Sequence, residues 1–303
     1  MPDAVHLVGV KLTGDEAYAV LVDLEATILS TRRTTLTDKD PAAVCAVIAG
    51  MVAQFATQGT AIRAIGISFG GHSSNRIDVT ATYLGWREVP LATLVEQATS
   101  LPCVVDNDVI ALTEAQHWFG SGRGHERFAV LTIGAGIGYA LVVHDRILRS
   151  RDTMEGVFGH FIIDPSGPPC PDGHRGCAAS YLRSDSVTAA VSVGLRRGVG
   201  YEEALDLSEG GNPIARMVTD EAGRALGRLV AGIAELALTD RVILSGEGIR
   251  LARVAEPAVH AGLAQSRPLR AEPVVIDIQE IDFHEWARGA AVIAMQRFVI
   301  GDD

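Results

Sequence analysis

Apolar and polar positions change in short runs at the start of the chain. Three apolar segments, VHLVGVKL, AYAVLVDL and TILSTRRTTL, are separated by the turn-like TGDE and EA, which predicts a meander of antiparallel strands. From about Pro41 to Gln58 the period lengthens. Val44, Val47, Met51, Val52 and Phe55 recur at helical spacing, so a helix follows. AIRAIGISF then reads as a strand running into a turn at Gly70-Gly71. A helix is expected near Leu91 to Thr99, PCVVDN as a strand, and a helix from about Asp108 with Leu112, Ala115 and Trp118 on it. A second stretch repeats the theme. FAVLTI is a strand, Gly134 to Gly138 a turn, and YALVV another strand. Helices are expected over roughly 178–193, 200–208 and 212–238, strands at RVILSG and PVVIDI, and a last helix from about Trp286 to Phe298. Two units that each open on a meander and continue as alternating strands and helices predict a duplicated α/β fold, two lobes with a central cleft.

Composition narrows the class. The chain has 303 residues, long enough for two lobes, and its scarce aromatics leave the interior to Ala, Val, Leu and Ile. A formal net charge of -11 with no Lys/Arg cluster argues against the chain itself gripping nucleic acid, because phosphate contacts need concentrated positive charge. Four cysteines do not make a disulfide scaffold at this length, and Cys45 and Cys103 sit in apolar surroundings as small hydrophobes. With neither a signal peptide nor an apolar run of spanning length in the sequence, a cytoplasmic protein without a membrane partner is expected.

Three places carry candidate chemistry. The segment 155–182, EGVFGHFIIDPSGPPCPDGHRGCAASYL, gathers His160, Cys170, Asp172, His174 and Cys177 in a stretch too rich in Gly and Pro to be a helix. Thiolates and imidazoles at short spacing hold Zn²⁺, and the ion supplies the order such a loop lacks; the alternative is a surface loop with free thiols. Gly134-Ala-Gly136-Ile-Gly138 resembles a dinucleotide fingerprint, but a strand follows where a helix is required. A glycine turn of this kind still offers N–H groups to phosphate, or is a plain hairpin. Ser245-Gly246-Glu-Gly248 is a second such turn, compatible with a nucleoside pocket. Finally, Asp106, Asn107 and Asp108 arrive at the C-terminal end of an apolar strand. There a carboxylate serves as a base towards a hydroxyl, or the group caps the next helix.

Taken together these residues resemble the ROK family of bacterial sugar kinases and sugar-responsive repressors. The resemblance rests on LVGV…YAVLVDLEATIL, Gly70-Gly71, Leu84-Gly-Trp86, Val105-Asp-Asn-Asp108, Ile133 to Gly138, Gly159-His160, Asp164-Pro, Cys170 to Cys177 and Gly289-Ala-Ala291. It implies an actin-like, duplicated ribonuclease-H-like fold, with a first lobe over 1–112 completed by a helix at 286–303 and a second lobe over 113–285 carrying the zinc loop. It also implies a homodimer or a dimer of dimers, and a structural Zn²⁺ on His160, Cys170, Asp172 and Cys177. The aspartate stands where the family has a cysteine, and His174 is the substitute fourth ligand. Gly71, Asn107, Asp108, Glu155 and His160 would meet a sugar, and Gly134, Gly136, Gly138 and Gly246 would meet nucleotide phosphates.

The departures from the family pattern bear on catalysis. Where the family's first phosphate loop reads approximately D-x-G-G-T, this chain has Lys11-Leu-Thr13-Gly14-Asp15, and Ala135 stands where a hydroxyl residue is common. Asp15 would repel phosphates, which argues against ATP and Mg²⁺ binding. Three positions that bear an amide and two carboxylates in the family's sugar kinases are Tyr83, Val157 and Ala179 here, with His72 and Glu155 as partial replacements. The expectation is therefore the effector-sensing and dimerising core of a ROK transcriptional regulator, with a sugar or sugar-derived effector and no kinase activity. In that reading nucleic acid is met only through a helix-turn-helix that this sequence lacks. The alternative is an ATP-dependent sugar kinase with Asp108 as base.

Overall fold

Strand β1 (His6–Leu12) runs through the middle of a five-stranded sheet, which is why its sequence is apolar on both faces. It pairs antiparallel with β2 (Glu16–Val22) and parallel with β4 (Ile62–Phe69). Strand β3 (Ile28–Thr35) lies at the edge beyond β2, and its residues alternate between part-buried and exposed. The short strands β5 (Val79–Ala81) and β6 (Trp86–Val89) form a separate ribbon, and β7 (Cys103–Asn107) closes the order β3-β2-β1-β4-β7. Helices α1 (Pro41–Ala56) and α2 (Leu91–Thr99) cover one face, packing Ile48, Met51 and Val95 on Val8, Val10, Ile65 and Val105. Helix α3 (Asp108–Phe119) lies on the other face. The computed structural model describes residues 5–56, 60–150, 156–280 and 282–301.

The second sheet reproduces the first. Strands β8 (Arg127–Ile133), β9 (Ile137–Val143), β10 (Arg146–Ile147), β11 (Arg241–Ser245) and β12 (Val275–Ile278) assemble in the order β10-β9-β8-β11-β12, with the same antiparallel meander and the same parallel partners. Between β10 and β11 come α4 (Ala178–Leu182), α5 (Ser184–Leu195), α6 (Tyr201–Glu209) and α7 (Pro213–Ala237). The helix expected over 178–193 is two pieces, because Arg183 takes an extended conformation with ψ 144°. Helices α8 (Arg250–Val254) and α9 (Glu256–Ser266) were not anticipated. Pro257 falls in the first turn of α9, where a missing N–H costs nothing.

The chain then returns to the first sheet through α10 (Phe283–Met295), which starts earlier than the expected Trp286 because Asp282 caps it, accepting hydrogen bonds from the His284 and Glu285 amides. This helix lies directly on β1 and β4. A Cβ on Gly9 would stand 1.9 Å from the Ala287 carbonyl oxygen, and one on Gly66 1.8 Å from that of Ala290. Both strands therefore need glycine at the crossing. Helices α3 and α10 share a core of Leu7, Ala64, Val104, Ala111, Ala287 and Ala291. The chain thus forms two compact units. One holds residues up to Gly124, a return at Arg149 and the segment from Asp282; the other holds His125–Leu148 and 156–281. The division falls at Gly124 and not at 112, since α3 belongs whole to the sheet it covers.

Candidate ligand and metal sites

Parallel register sets out the first site. Lys11, Ser68 and Asp106 are aligned across β1, β4 and β7, and Leu12, Phe69 and Asn107 form the next row, so the chain leaves all three strands at the C-terminal edge where α/β sheets bind ligands. Asn107 is the N-cap of α3. Its side-chain oxygen accepts from the Val109 amide at 2.9 Å and the Ile110 amide at 3.3 Å, and its amide nitrogen donates to the Gly71 carbonyl at 2.9 Å. Capping, one of the two roles expected here, is what Asn107 does. Asp108 is the first helical residue, and its carboxylate is held in an ion pair by the Lys11 ammonium. The two side chains are only 5% and 13% exposed, and the ammonium also lies 5.1 Å from the centre of the Trp286 ring. A buried lysine is tolerated only with such a partner. Tyr83, near Gly70, donates to the Leu12 carbonyl at 3.2 Å, and burial, followed by the Asp108 charge, pushes its phenol upward. Asp15 is 87% exposed, 3.6 Å from Lys39. His72 Nδ1 is buried without a hydrogen-bond partner among the described residues. Glu155 lies outside the described residues.

A second group behind this edge was not apparent in the sequence. Asp106, 1% exposed, receives Arg149 at 2.7 Å and Arg76 at 3.4 Å, and Arg149 also approaches Glu114 at 3.6 Å. The Gln296 amide donates to Glu114 at 2.7 Å. Burial pushes the Glu114 carboxyl above its ordinary range, against the opposing pull of Gln296 and Arg149. A pKa raised by folding means that the folded state binds the proton more tightly, so its contribution to stability is full at low pH and is lost as pH rises through the folded value. Glu114→Gln removes that loss. The melting temperature of Glu114→Gln relative to the unsubstituted protein should therefore climb between pH 4 and pH 8, and a flat or falling difference would refute this account of Glu114.

In the second unit the expected glycine turn joins β8 to β9 as a hairpin, with Gly138 paired to Thr132 inside the ladder. A Cβ on Gly134 would meet the Glu247 carboxyl carbon at 2.1 Å, and one on Gly246, which has φ 108°, would meet the Ile133 carbonyl oxygen at 2.3 Å. Backbone contact and a positive φ account for Gly246, whereas Gly134 faces the movable end of the Glu247 side chain. Gly136 faces open space. The Ala135 amide donates to the Glu247 carboxylate at 2.7 Å. Val157 is half-exposed in the turn that carries His160, and Ala179 is buried in α4.

The His/Cys loop closes on itself. Bridges join Ile162 to Cys177 and Pro169 to Arg175, and the Cys170 amide donates to the His174 carbonyl at 2.8 Å. This tight turn brings His160, Cys170, His174 and Cys177 together, with their ligand atoms all within 4.8 Å of one another. His160 Nδ1 lies 3.5 Å from Cys170 Sγ and 4.0 Å from Cys177 Sγ. Ligands about 2.1–2.3 Å from a tetrahedral ion stand about 3.5–3.8 Å apart. His174 Nε2 is buried with no hydrogen-bond partner among the described residues, the condition of a nitrogen that awaits a metal. The four therefore form a candidate His/Cys metal site that includes the substitute His174. Asp172 lies outside this group. Its carboxylate stands 3.2 Å from His160 Nε2, on the far side of the ring from the thiols. Cys45 and Cys103 are buried elsewhere, as expected, and burial pushes the Cys45 thiol up to about 11.

Paired mixed sheets of identical strand order define the α/β fold shared by sugar kinases and actin-like ATPases. The sequence pattern of the ROK family matches residues 7–297, and the chain belongs to that family. It is 28% identical over 261 residues to a glucokinase of Thermotoga maritima, covering 79% of this chain and 81% of that protein. It is 24% identical over 208 residues to the xylose repressor of Bacillus spizizenii, covering 67% of this chain and 54% of the repressor. Among solved structures, a ROK family transcriptional regulator homologous to the Escherichia coli MLC protein superposes with a TM-score of 0.84 at 21% identity, over 96% of this chain and 78% of that one. Repressors and glucokinases are both relatives. Among the described residues no helix is long and apolar enough to cross a membrane.

Proposed function

We propose that this chain is the effector-sensing and dimerising body of a ROK-type transcriptional regulator, one that binds a sugar or sugar-derived molecule without phosphorylating it. The buried Lys11–Asp108 pair carries this reading. A general base must offer its lone pair to the hydroxyl it deprotonates, and here an ammonium occupies that carboxylate. Lys11 also stands where the family's first phosphate loop has an acid, so a single replacement removes one catalytic group and engages another. Sensing needs only a ligand that prefers one state of the protein, and no phosphoryl transfer. Operator contact is not assigned to these residues, whose net charge of -11 opposes it. A cytoplasmic homodimer or dimer of dimers fits this role.

Zinc is the metal we assign to His160, Cys170, His174 and Cys177, because two thiolates and two imidazoles in a compact group suit a tetrahedral ion. When bound it supplies cross-linking of the loop, a structural service. Asp172, 3.2 Å from His160 Nε2, is placed to hold that nitrogen and keep Nδ1 directed at the thiols.

The second reading is a sugar kinase, favoured by the place of Asp108 at the edge of the parallel strands and by the glucokinase relatives. In it Asp108 would accept the proton of a sugar hydroxyl as that oxygen attacks the terminal phosphate of ATP. Thermal-shift titration with a sugar panel and ATP·Mg²⁺, beside a coupled ADP-release assay, separates the two. Stabilisation by a sugar with no ADP release is expected, since a ligand of the folded state raises its stability. Turnover that disappears in Asp108→Ala would overturn the regulator reading.

A further inference from the structure

We infer that Glu247 is a resident anion on the glycine loop after β8, and that it excludes the phosphates of nucleotides from the second unit. The loop offers anions its backbone N–H groups, and the Ala135 N–H is already given to the Glu247 carboxylate at 2.7 Å. The Gly134 N–H is turned inward to the Gly136 carbonyl at 3.0 Å, and the Gly134 carbonyl accepts from the Ser184 amide at 3.0 Å. Glu247 sits on a turn whose backbone is fixed from two sides. The Gly248 amide donates to the Ile133 carbonyl at 2.8 Å, and the Gly248 carbonyl accepts from the Tyr201 hydroxyl at 2.6 Å. Gly134 provides the room, since any side chain there would collide with the Glu247 carboxyl group.

A carboxylate and a phosphate present the same thing to a backbone nest, oxygen atoms bearing negative charge. With one seated, the other finds its donor taken and meets like charge at contact distance. The hairpin is therefore ordered by a group of its own chain, and nucleoside diphosphates, nucleoside triphosphates and inorganic phosphate are the class it turns away. This inference does not rest on the Lys11–Asp108 pair, which lies in the other unit.

Calorimetric titration of ADP·Mg²⁺ into the full chain, Glu247→Gln and Glu247→Ala tests it, with the melting temperature of each variant recorded as a check on folding. The full chain is expected to show no binding into the millimolar range. Glu247→Ala should bind ADP about 10- to 100-fold more tightly than the limit set by the full chain, the span of one hydrogen bond to a charged group. Glu247→Gln, which keeps the shape and loses the charge, should fall between and serves if the alanine variant does not fold. Binding by the full chain as tight as by either variant overturns the inference, as does silence from a folded Glu247→Ala. Either failure leaves untouched the sugar-dependent thermal shift measured without nucleotide, which tests the regulator reading separately.

Discussion

Lys11→Met will destabilise the first unit by about 3–5 kcal/mol, because it leaves the Asp108 carboxylate buried and without its cation. The methionine fills most of the volume of the lysine stem, so lost packing is a minor part of the change. Asp108→Leu should cost a similar amount for the converse reason, a lysine ammonium stranded against Trp286 at the edge of β1. The double variant Lys11→Met with Asp108→Leu should recover most of either loss, since a buried ion pair replaced by apolar groups is close to neutral. Denaturant unfolding of the four proteins gives the coupling energy directly. A coupling below about 0.5 kcal/mol, the usual limit of additivity, would remove the buried-pair account and with it the main support for a silent base.

His174→Ala will lower metal affinity far more than Asp172→Asn, although the family pattern puts the aspartate at the ligand position. Loss of a ligand from a group of four leaves an open, weak site, whereas loss of an outer partner of a histidine typically costs 10- to 100-fold. Titration with Co²⁺ reads both, because the thiolate charge-transfer band reports the two cysteines while affinity reports the histidine. One equivalent of tightly bound metal in His174→Ala, with little or none in Asp172→Asn, would reverse the two roles. Chelation of the metal from the full chain should also lower its melting temperature in proportion to the logarithm of free metal, as binding linkage requires.

Much of the architecture could be read from the chain. The change from period-2 runs to helical spacing marked both meanders and most of the helices, and the repeat of that change marked the duplication. What could not be read depends on contacts between distant positions. Lys11 and Asp108 are separated by 97 residues, and Ala135 and Glu247 by 112. Each of these residues looks unremarkable until register brings the partners together. Asp106 was visible as a carboxylate at a strand end, but nothing in its neighbourhood pointed to Arg149, because that arginine is carried back to the first unit by the chain path. At the metal loop the spacing left Asp172 and His174 both open. The turn from Cys170 to His174 sets His174 among the thiols and Asp172 beside the outer face of His160, and on that placement we propose the histidine as the ligand. Asn107 illustrates a third limit. Its type and place suit both a sugar contact and a helix cap, and the hydrogen bonds it makes show the cap.

The seating of α10 on Gly9 and Gly66 has a consequence for synthesis on the ribosome. Strands β1, β2 and β4 precede α10 in the chain, yet Gly9 and Gly66 and the apolar side chains Leu7, Val20 and Val22 around them pack against residues 283–295. The nascent first unit therefore carries an unclosed apolar surface until residues 283–295 have emerged. Most of the second unit is drawn from 156–281 and has its strands and helices complete before that helix appears. A chain stalled before Phe283 should consequently hold a protease-resistant second unit and a first unit that is cut, and it is the first unit that needs shelter from aggregation.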